Sequence, residues 1–436
     1  MKSVWRIAAM AVLVSLLLGG CSMRTVEQMY CLPKRSEEYN DLQAAIDGAM
    51  KGLSYCAPLS GEHRQPVQSM DLNGDGMDEY LLFVKGTGEK PLKILLFEKI
   101  DGTYCQTETI SGTGTAFDQV EYITFDDRPG AEIVVGSQVS EQVLRSLAVY
   151  SFSDSGFQQI VSVNYSRFLS VDLDENDKEE LFVIRPGNTE TDPGVVELYD
   201  AADGTLHRSN EVNMSCPADA LKRITVGNLY GGTKAVFLAN AVGDSALITD
   251  VYCVRNGMLT NVVQSGDSDT GVQTLRNYYV YADDIDADGT VEIPALMSMK
   301  PIYPDAKDEK HRLIRWYAMT PSGGEIDKLF TFHCFEGGWY FRLDGDLASR
   351  LTVSVSGNRY IFYAWDTRSG GANKLFTLTA RTNQGKAMKN EFIVMETDSM
   401  IYTASLETAA SQYGITQESV ENNFRLIRQA WKTGET

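Results

Sequence analysis

The chain has 436 residues, 43% of them hydrophobic and 22% charged, with a formal charge of −20. That composition belongs to a folded protein, and the length allows two or three domains. The acidic balance excludes a nucleic-acid partner, whose phosphates need a cationic face, and it suits divalent cations.

Lys2 and Arg6 form a short positive region, and Ile7 to Leu18 is an apolar run. The run is too short to cross a bilayer as a helix, which takes about 20 residues, and fits the apolar stretch of a secretory signal. It ends Leu18-Gly19-Gly20-Cys21-Ser22, which resembles the lipobox of bacterial lipoproteins. The resemblance implies removal of residues 1–20, lipidation of Cys21 and a membrane partner reached through that anchor on the extracytoplasmic face. Six cysteines then remain: Cys31, Cys56, Cys105, Cys216, Cys253 and Cys334. None forms a C-x-x-C pair, so zinc ribbons and dithiol redox sites are unsupported. Disulfides and buried thiols both stay open.

Residues 21–35 read as a polar tether, and residues 36–65 as a helix with a lead-in. Tyr39, Leu42, Ala45, Ile46, Met50 and Leu53 recur at helical spacing. From residue 66 to 332 the unit changes to strand, acidic loop, strand, strand, tight turn, strand. Turn glycines at Gly102, Gly156, Gly204, Gly257 and Gly323 mark five copies, about 50–65 residues apart. Asp-Gly and Asn-Gly between apolar runs signal hairpins, because both central residues of a type I′ turn need positive φ. A four-stranded unit repeated at this period predicts a mainly β fold, a β-propeller whose blades stack around an axis. Five blades are visible, and hairpins beyond residue 332 leave room for six or seven. An open sandwich also gives many short strands, but it does not repeat a loop at a fixed place in each unit.

Three loops share positions 1, 3, 5 and 9. They are Asp71, Asn73, Asp75 and Glu79; Asp172, Asp174, Asn176 and Glu180; and Asp284, Asp286, Asp288 and Glu292. Calcium takes six to eight hard oxygens, and alternating carboxylates in a tight loop converge on one point. The position-7 residues, Met77, Lys178 and Thr290, would each add a carbonyl. Gly76 and Gly289 allow a sharp bend at position 6, and Asp177 stands there in the second of these loops. An EF-hand needs an acid at position 12, where Leu82, Val183 and Ala295 stand. The all-carboxylate Asp284 loop is expected to bind calcium best, and the Asp172 loop less regularly.

These loops, each followed by an apolar strand, resemble the FG-GAP/VCBS repeats of integrin-like propellers. The resemblance covers roughly residues 66–332. It implies calcium in the loops and a role in adhesion, carbohydrate binding or scaffolding. Two copies depart from it. In the second blade the positions are Thr124, Asp126, Arg128 and Glu132, so a cation stands where a ligand should and is expected to replace the ion by pairing with Asp126 and Glu132. In the fourth, Asn228 and Tyr230 stand beside Lys234 with no acid.

Residues 333–436 break the period and read as an α+β module. New strands start at Gly337-Gly338-Trp339 and continue as Leu351 to Val355, Arg359 to Trp365, Leu375 to Ala380, Phe392 to Glu396 and Ile401 to Ser405. A terminal helix is expected from Gln417 to Trp431, opened by Thr416 and Ser419, with Val420, Phe424, Ile427 and Trp431 on one face. Catalytic motifs are sparse: no G-x-S-x-G, H-E-x-x-H or P-loop occurs. Gly243-Asp244-Ser245 with Asp308 and His311 resembles the order in GDSL-type hydrolases, but it falls inside the repeats and lacks the expected asparagine block. The expected function is therefore a surface-anchored binding, adhesion or scaffold protein whose ligand is a surface glycan or protein. The alternatives are a hydrolase or lyase acting on envelope glycans or esters, and an envelope-assembly lipoprotein.

Overall fold

The computed structural model describes residues 37–139, 145–153, 155–202, 205–264, 272–299, 311–366, 370–382 and 388–427. The signal segment, Cys21, the tether, Cys31, Gly204, Asp308 and Trp431 lie outside them.

Helix α1 (Glu37–Ala49) buries Leu42 and Ile46 at helical spacing against Leu82, Val84, Leu95, Phe97 and Tyr104. Tyr39, read as part of that face, stays exposed. Antiparallel meanders follow, five-stranded in the first sheet and four-stranded in the next three. The first sheet has β1 (Ser54–Tyr55), β2 (Val67–Met70), β3 (Glu79–Lys85), β4 (Leu92–Ile100) and β5 (Thr103–Gly112), with β1 and β2 sharing one edge of β3. The second has β6 (Ala116–Ile123), β7 (Glu132–Gln138), β8 (Arg145–Ser153) and β9 (Gly156–Tyr165). The third has β10 (Arg167–Val171), β11 (Glu180–Arg185), β12 (Val195–Ala202) and β13 (Thr205–Asn213). The fourth has β14 (Leu221–Asn228), β15 (Lys234–Val242), β16 (Ala246–Arg255) and β17 (Met258–Asn261). The hairpin turns use positive φ as read from their dipeptides: Asp101 is at 49° and Gly102 at 86°, Asn256 at 52° and Gly257 at 74°.

The second strand of each unit is apolar in its middle, where both of its faces are covered. Leu181 and Val183 pack back on the second sheet, while Phe182 and Ile184 pack forward on the fourth. The same alternation joins the first sheet to the second through Phe83 and Ile133, and the fourth to the fifth through Phe237 and Ile293. Helix α1 covers the other face of the first sheet. Among the described residues, no apolar core joins a sheet beyond the second to the first.

Where the acidic loops of the first two sheets meet, the backbones touch. A Cβ on Gly130, at φ +100°, would lie 2.3 Å from the carbonyl oxygen of Leu72. Gly130→Ala is expected to cost at least about 1–3 kcal/mol from φ alone, read as a lower thermal midpoint.

The strands of the sixth sheet fall where expected, but the start of the fifth sheet and the boundary before the sixth do not. The segment before the fifth acidic loop is not a strand, and only the bridge Asp283–Glu292 marks it. The sheet is β18 (Glu292–Met297), β19 (His311–Met319), β20 (Glu325–Cys334) and β21 (Trp339–Leu343). The domain boundary expected at residue 333 therefore falls inside β20. After the short helix α2 (Gly345–Arg350), a sixth sheet runs β22 (Leu351–Ser356), β23 (Arg359–Asp366), β24 (Gly371–Thr382), β26 (Met400–Leu406), β25 (Phe392–Glu396) in spatial order. Phe332, Trp339 and Phe341 of the fifth sheet share one core with Phe362, Phe376 and Leu378 of the sixth.

The long terminal helix is corrected. Helix α3 spans only Gln417–Asn423, opened by the expected Thr416–Ser419 capping box. Asn422 and Asn423 are weak helix formers. Phe424 gains more as the start of β27 (Phe424–Leu426), which pairs with the open edge of β21 and buries its ring between Trp339 and Tyr402.

One device recurs that the sequence did not announce. The third and fourth strands bulge at Leu96/Phe97, Val149/Tyr150, Leu198/Tyr199 and Trp316/Tyr317 in four sheets, and at Phe362/Tyr363 in the sixth. An aromatic follows the bulge each time. The shared irregularity places β22, β23 and β24 as second, third and fourth strands of a further repeat, with α2 where the acidic loop would be.

Candidate metal centres

In the three acidic loops the position-9 glutamate opens the second strand and folds back to accept the N–H of position 2. Leu72 donates to Glu79 at 2.8 Å, Leu173 to Glu180 at 2.7 Å and Ile285 to Glu292 at 3.1 Å. The position-1 aspartate accepts from position 6: Gly76 to Asp71 at 2.9 Å, Asp177 to Asp172 at 3.1 Å and Gly289 to Asp284 at 2.9 Å. Position 6 has positive φ, 84° at Gly76, 65° at Asp177 and 87° at Gly289. Glu175 and Ala287 also hold positive φ at position 4, a strain that their residue types do not signal. The N–H groups of Met77, Lys178 and Thr290 donate to the position-5 side chains Asp75, Asn176 and Asp288 at 2.7–2.9 Å.

The glutamates are buried, with 4%, 1% and 0% exposure at Glu79, Glu180 and Glu292. Burial pushes the Glu180 carboxyl up to about 8. The N–H of Leu173 opposes this, while Asp174, Asp200 and Asp172 add to it. Glu292 is likewise pushed up to about 8 by burial, with the N–H of Ile285 opposing and Asp286 and Asp288 adding. Glu79 is raised by the same cause.

Two of the three loops gather their carboxylates. Asp172, Asp174 and Glu180 bring oxygens within 4.8 Å of one another, as do Asp284, Asp286 and Glu292. Oε1 of Glu180 and Oε1 of Glu292 are buried without a hydrogen-bond partner. An all-oxygen donor set with an orphaned buried oxygen fits a hard divalent cation. The first loop differs because Asn73 Nδ2 donates to Glu79 Oε1 at 3.1 Å and covers the oxygen left open elsewhere.

Sequence reading missed Lys328 on β20, whose ammonium hydrogen-bonds Asp288 in the fifth loop. It also missed Asp200 on β12, which acts on Asp174 and Glu180. No local pattern reveals either residue, since both come from strands distant in sequence. The substitution in the second sheet's loop is as read. Arg128 Nε pairs with Asp126 at 2.7 Å and its terminal nitrogen lies 3.5 Å from Glu132, so a guanidinium fills the cation position. In the fourth unit Asn228 donates to the Gly289 carbonyl at 3.0 Å, and the Lys234 N–H donates to Glu175 at 2.9 Å. These bonds tie that loop to its neighbours.

Ser245 sits in the tight turn between β15 and β16, just after Gly243 at φ 58°. Asp308 and the His311 side chain lie outside the described residues. Cys56, Cys105, Cys216, Cys253 and Cys334 are thiols, and Cys216, Cys253 and Cys334 are buried. No described helix is long and apolar enough to cross a membrane.

No protein-family model matches the chain, and no curated protein sequence does. Among solved structures it is similar to the exotype rhamnogalacturonan lyase YesX, at 14% identity over 85% of this chain and 77% of that one, with a TM-score of 0.28. A Bacillus licheniformis rhamnogalacturonan lyase matches at 12% identity over 81% and 90%, with a TM-score of 0.29. A Lactobacillus plantarum protein matches at 15% over 68% and 81%, with a TM-score of 0.25. At such scores neither a fold nor an activity carries over.

A pH effect follows from Glu180. Its carboxyl is raised in the fold, so the metal-free protein loses stability as pH rises from the free value of 4.5 towards about 8. A divalent cation held there would take the carboxylate form, so its binding would tighten over the same interval. Calcium titrations at pH 6 and pH 8 are expected to differ by about tenfold or more. Equal affinities would sink this account.

Proposed function

We propose that the chain is a lipid-anchored, extracytoplasmic binding protein built on a calcium-stabilised β-propeller. The single observation that carries the calcium part is Glu180. A carboxylate buried beside Asp172 and Asp174, with one oxygen unmatched, is unfavourable alone and favourable around a divalent ion. The lipobox-like Gly19-Gly20-Cys21 supports the anchor, and the negative charge argues against nucleic acid. The ligand class on this reading is a surface glycan or protein, and the stacked sheets serve as a scaffold that presents it.

Two measurements test the two halves separately. In cells, the wild-type chain should take up labelled fatty acid and partition into detergent, while Cys21→Ala should do neither. On the purified mature chain, equilibrium dialysis should show bound calcium that Glu180→Gln removes. A labelled Cys21→Ala protein sinks the anchor, and a wild-type chain that binds no calcium sinks the metal reading.

A further inference from the structure

The acidic loops of the third sheet (Asp172 to Glu180) and the fifth sheet (Asp284 to Glu292), the third and fifth loops, share spacing, backbone conformation and a buried glutamate, yet the charges around them differ. In four sheets the bulge between third and fourth strands leaves one extra residue. It is Thr107 in the first sheet, Ile160 in the second, Ser209 in the third and Lys328 in the fifth. Ser209 uses its hydroxyl on the Leu198 carbonyl at 3.0 Å and brings no charge to the third loop. Lys328 instead reaches into the fifth loop. Its Nζ hydrogen-bonds Asp288 and lies 3.9 Å from Asp286 Oδ2 and 4.0 Å from Glu292 Oε1.

We propose that Lys328 is a built-in cation that fills the fifth loop, so that the chain carries one calcium site, at Asp172, Asp174 and Glu180, rather than two. The proposal rests on the calcium reading above. It reverses the ranking that the loop sequences alone suggest, in which the four carboxylates at positions 284, 286, 288 and 292 bind best.

The ammonium is delivered by the fold itself. It arrives with no loss of translational freedom, at the high effective concentration of a tethered group. Calcium in extracellular modules binds weakly, with Kd on the order of 10⁻⁴–10⁻³ M, so a competitor of this kind is enough to shift occupancy. The Lys328 side chain is only 17% exposed. An entering dication would have to leave that ammonium beside it, which like-charge repulsion opposes. The chain already uses this solution once, with Arg128 between Asp126 and Glu132 in the second sheet. The third loop has the opposite balance. Its own lysine, Lys178, is turned away and pairs with Asp127 at 2.7 Å, while Asp200 adds a further negative charge.

The test is calcium stoichiometry on the full mature chain by equilibrium dialysis, with melting curves alongside. The wild-type protein is expected to bind one ion, lost in Glu180→Gln and retained in Asp286→Asn. Lys328→Met is expected to bind two ions, the second lost in the Lys328→Met, Asp286→Asn pair, and to melt lower than wild type in chelator but not in excess calcium. Lys328→Arg should keep the count at one. Two ions in the wild-type chain, one of them lost in Asp286→Asn, overturn the proposal and leave the calcium reading standing. A Lys328→Met protein that folds and still binds one ion also overturns it. No bound calcium in any variant overturns the reading on which it rests.

Discussion

In excess calcium the mature chain should melt a few degrees higher than in chelator, and Asp174→Asn should remove most of that rise. The size follows from linkage. An ion that binds only the folded state adds about 2.7 kcal/mol at a hundredfold excess over its Kd. For domains of this size each kcal/mol is worth about 2–4 °C or somewhat less. Glu180→Gln carries a second, opposite sign. Without metal at pH 8, the wild-type protein holds a buried carboxylate whose ionisation the fold resists. A neutral amide of the same shape relieves that penalty, by up to a few kcal/mol. Glu180→Gln should therefore melt at or above wild type in chelator and below it in calcium. Curves that keep one order in both conditions would mean that no ion occupies the loop.

The part of this site that was legible in the sequence is the part that is local. Asp172, Asp174 and Glu180 lie within nine residues, and an alternating spacing with a strand behind it fixes their convergence. Asn73 reads as an equivalent ligand in the first loop, but its amide turns towards Glu79 and covers the open oxygen. Which end of an amide faces a carboxylate is set by the folded network, not by spacing. Lys328 decides the state of the fifth loop from 36 positions beyond Glu292, through a bulge that aims one side chain across a sheet. The repeats themselves were readable because each strand and turn obeys short-range chemistry. The five strands of the sixth sheet were legible on the same ground, but its place in the repeat was not, because α2 stands where the acidic loop would have marked it, and β21 pairs into the fifth sheet instead of opening the sixth. The terminal helix failed for the same kind of reason. Val420 and Phe424 are at helical spacing, but the free edge of β21 offers Phe424 a better place.

The expected separate C-terminal module can be tested directly, and Trp339→Ala should have the larger effect on stability. Trp339 is fully buried where the fifth and sixth sheets meet. Its ring meets Tyr360 edge-on at 4.9 Å and lies 5.9 Å from Phe332 and 5.5 Å from Phe424. Truncation removes the largest side chain of that core and leaves a cavity walled by three aromatics, which costs about 3–5 kcal/mol. The loss should not stay local, because the same core holds Phe341, Phe362, Phe376 and Leu378 from both sheets. A fragment of residues 344–427 would expose Phe362, Phe376 and Phe424, and would lose β21, the partner of β27. It is expected to lack a cooperative urea transition by circular dichroism, whereas the whole mature chain should unfold its last two sheets together. A fragment with a steep, reversible transition of its own, alongside a Trp339→Ala chain that melts like wild type, would show that the last sheet folds independently of the fifth.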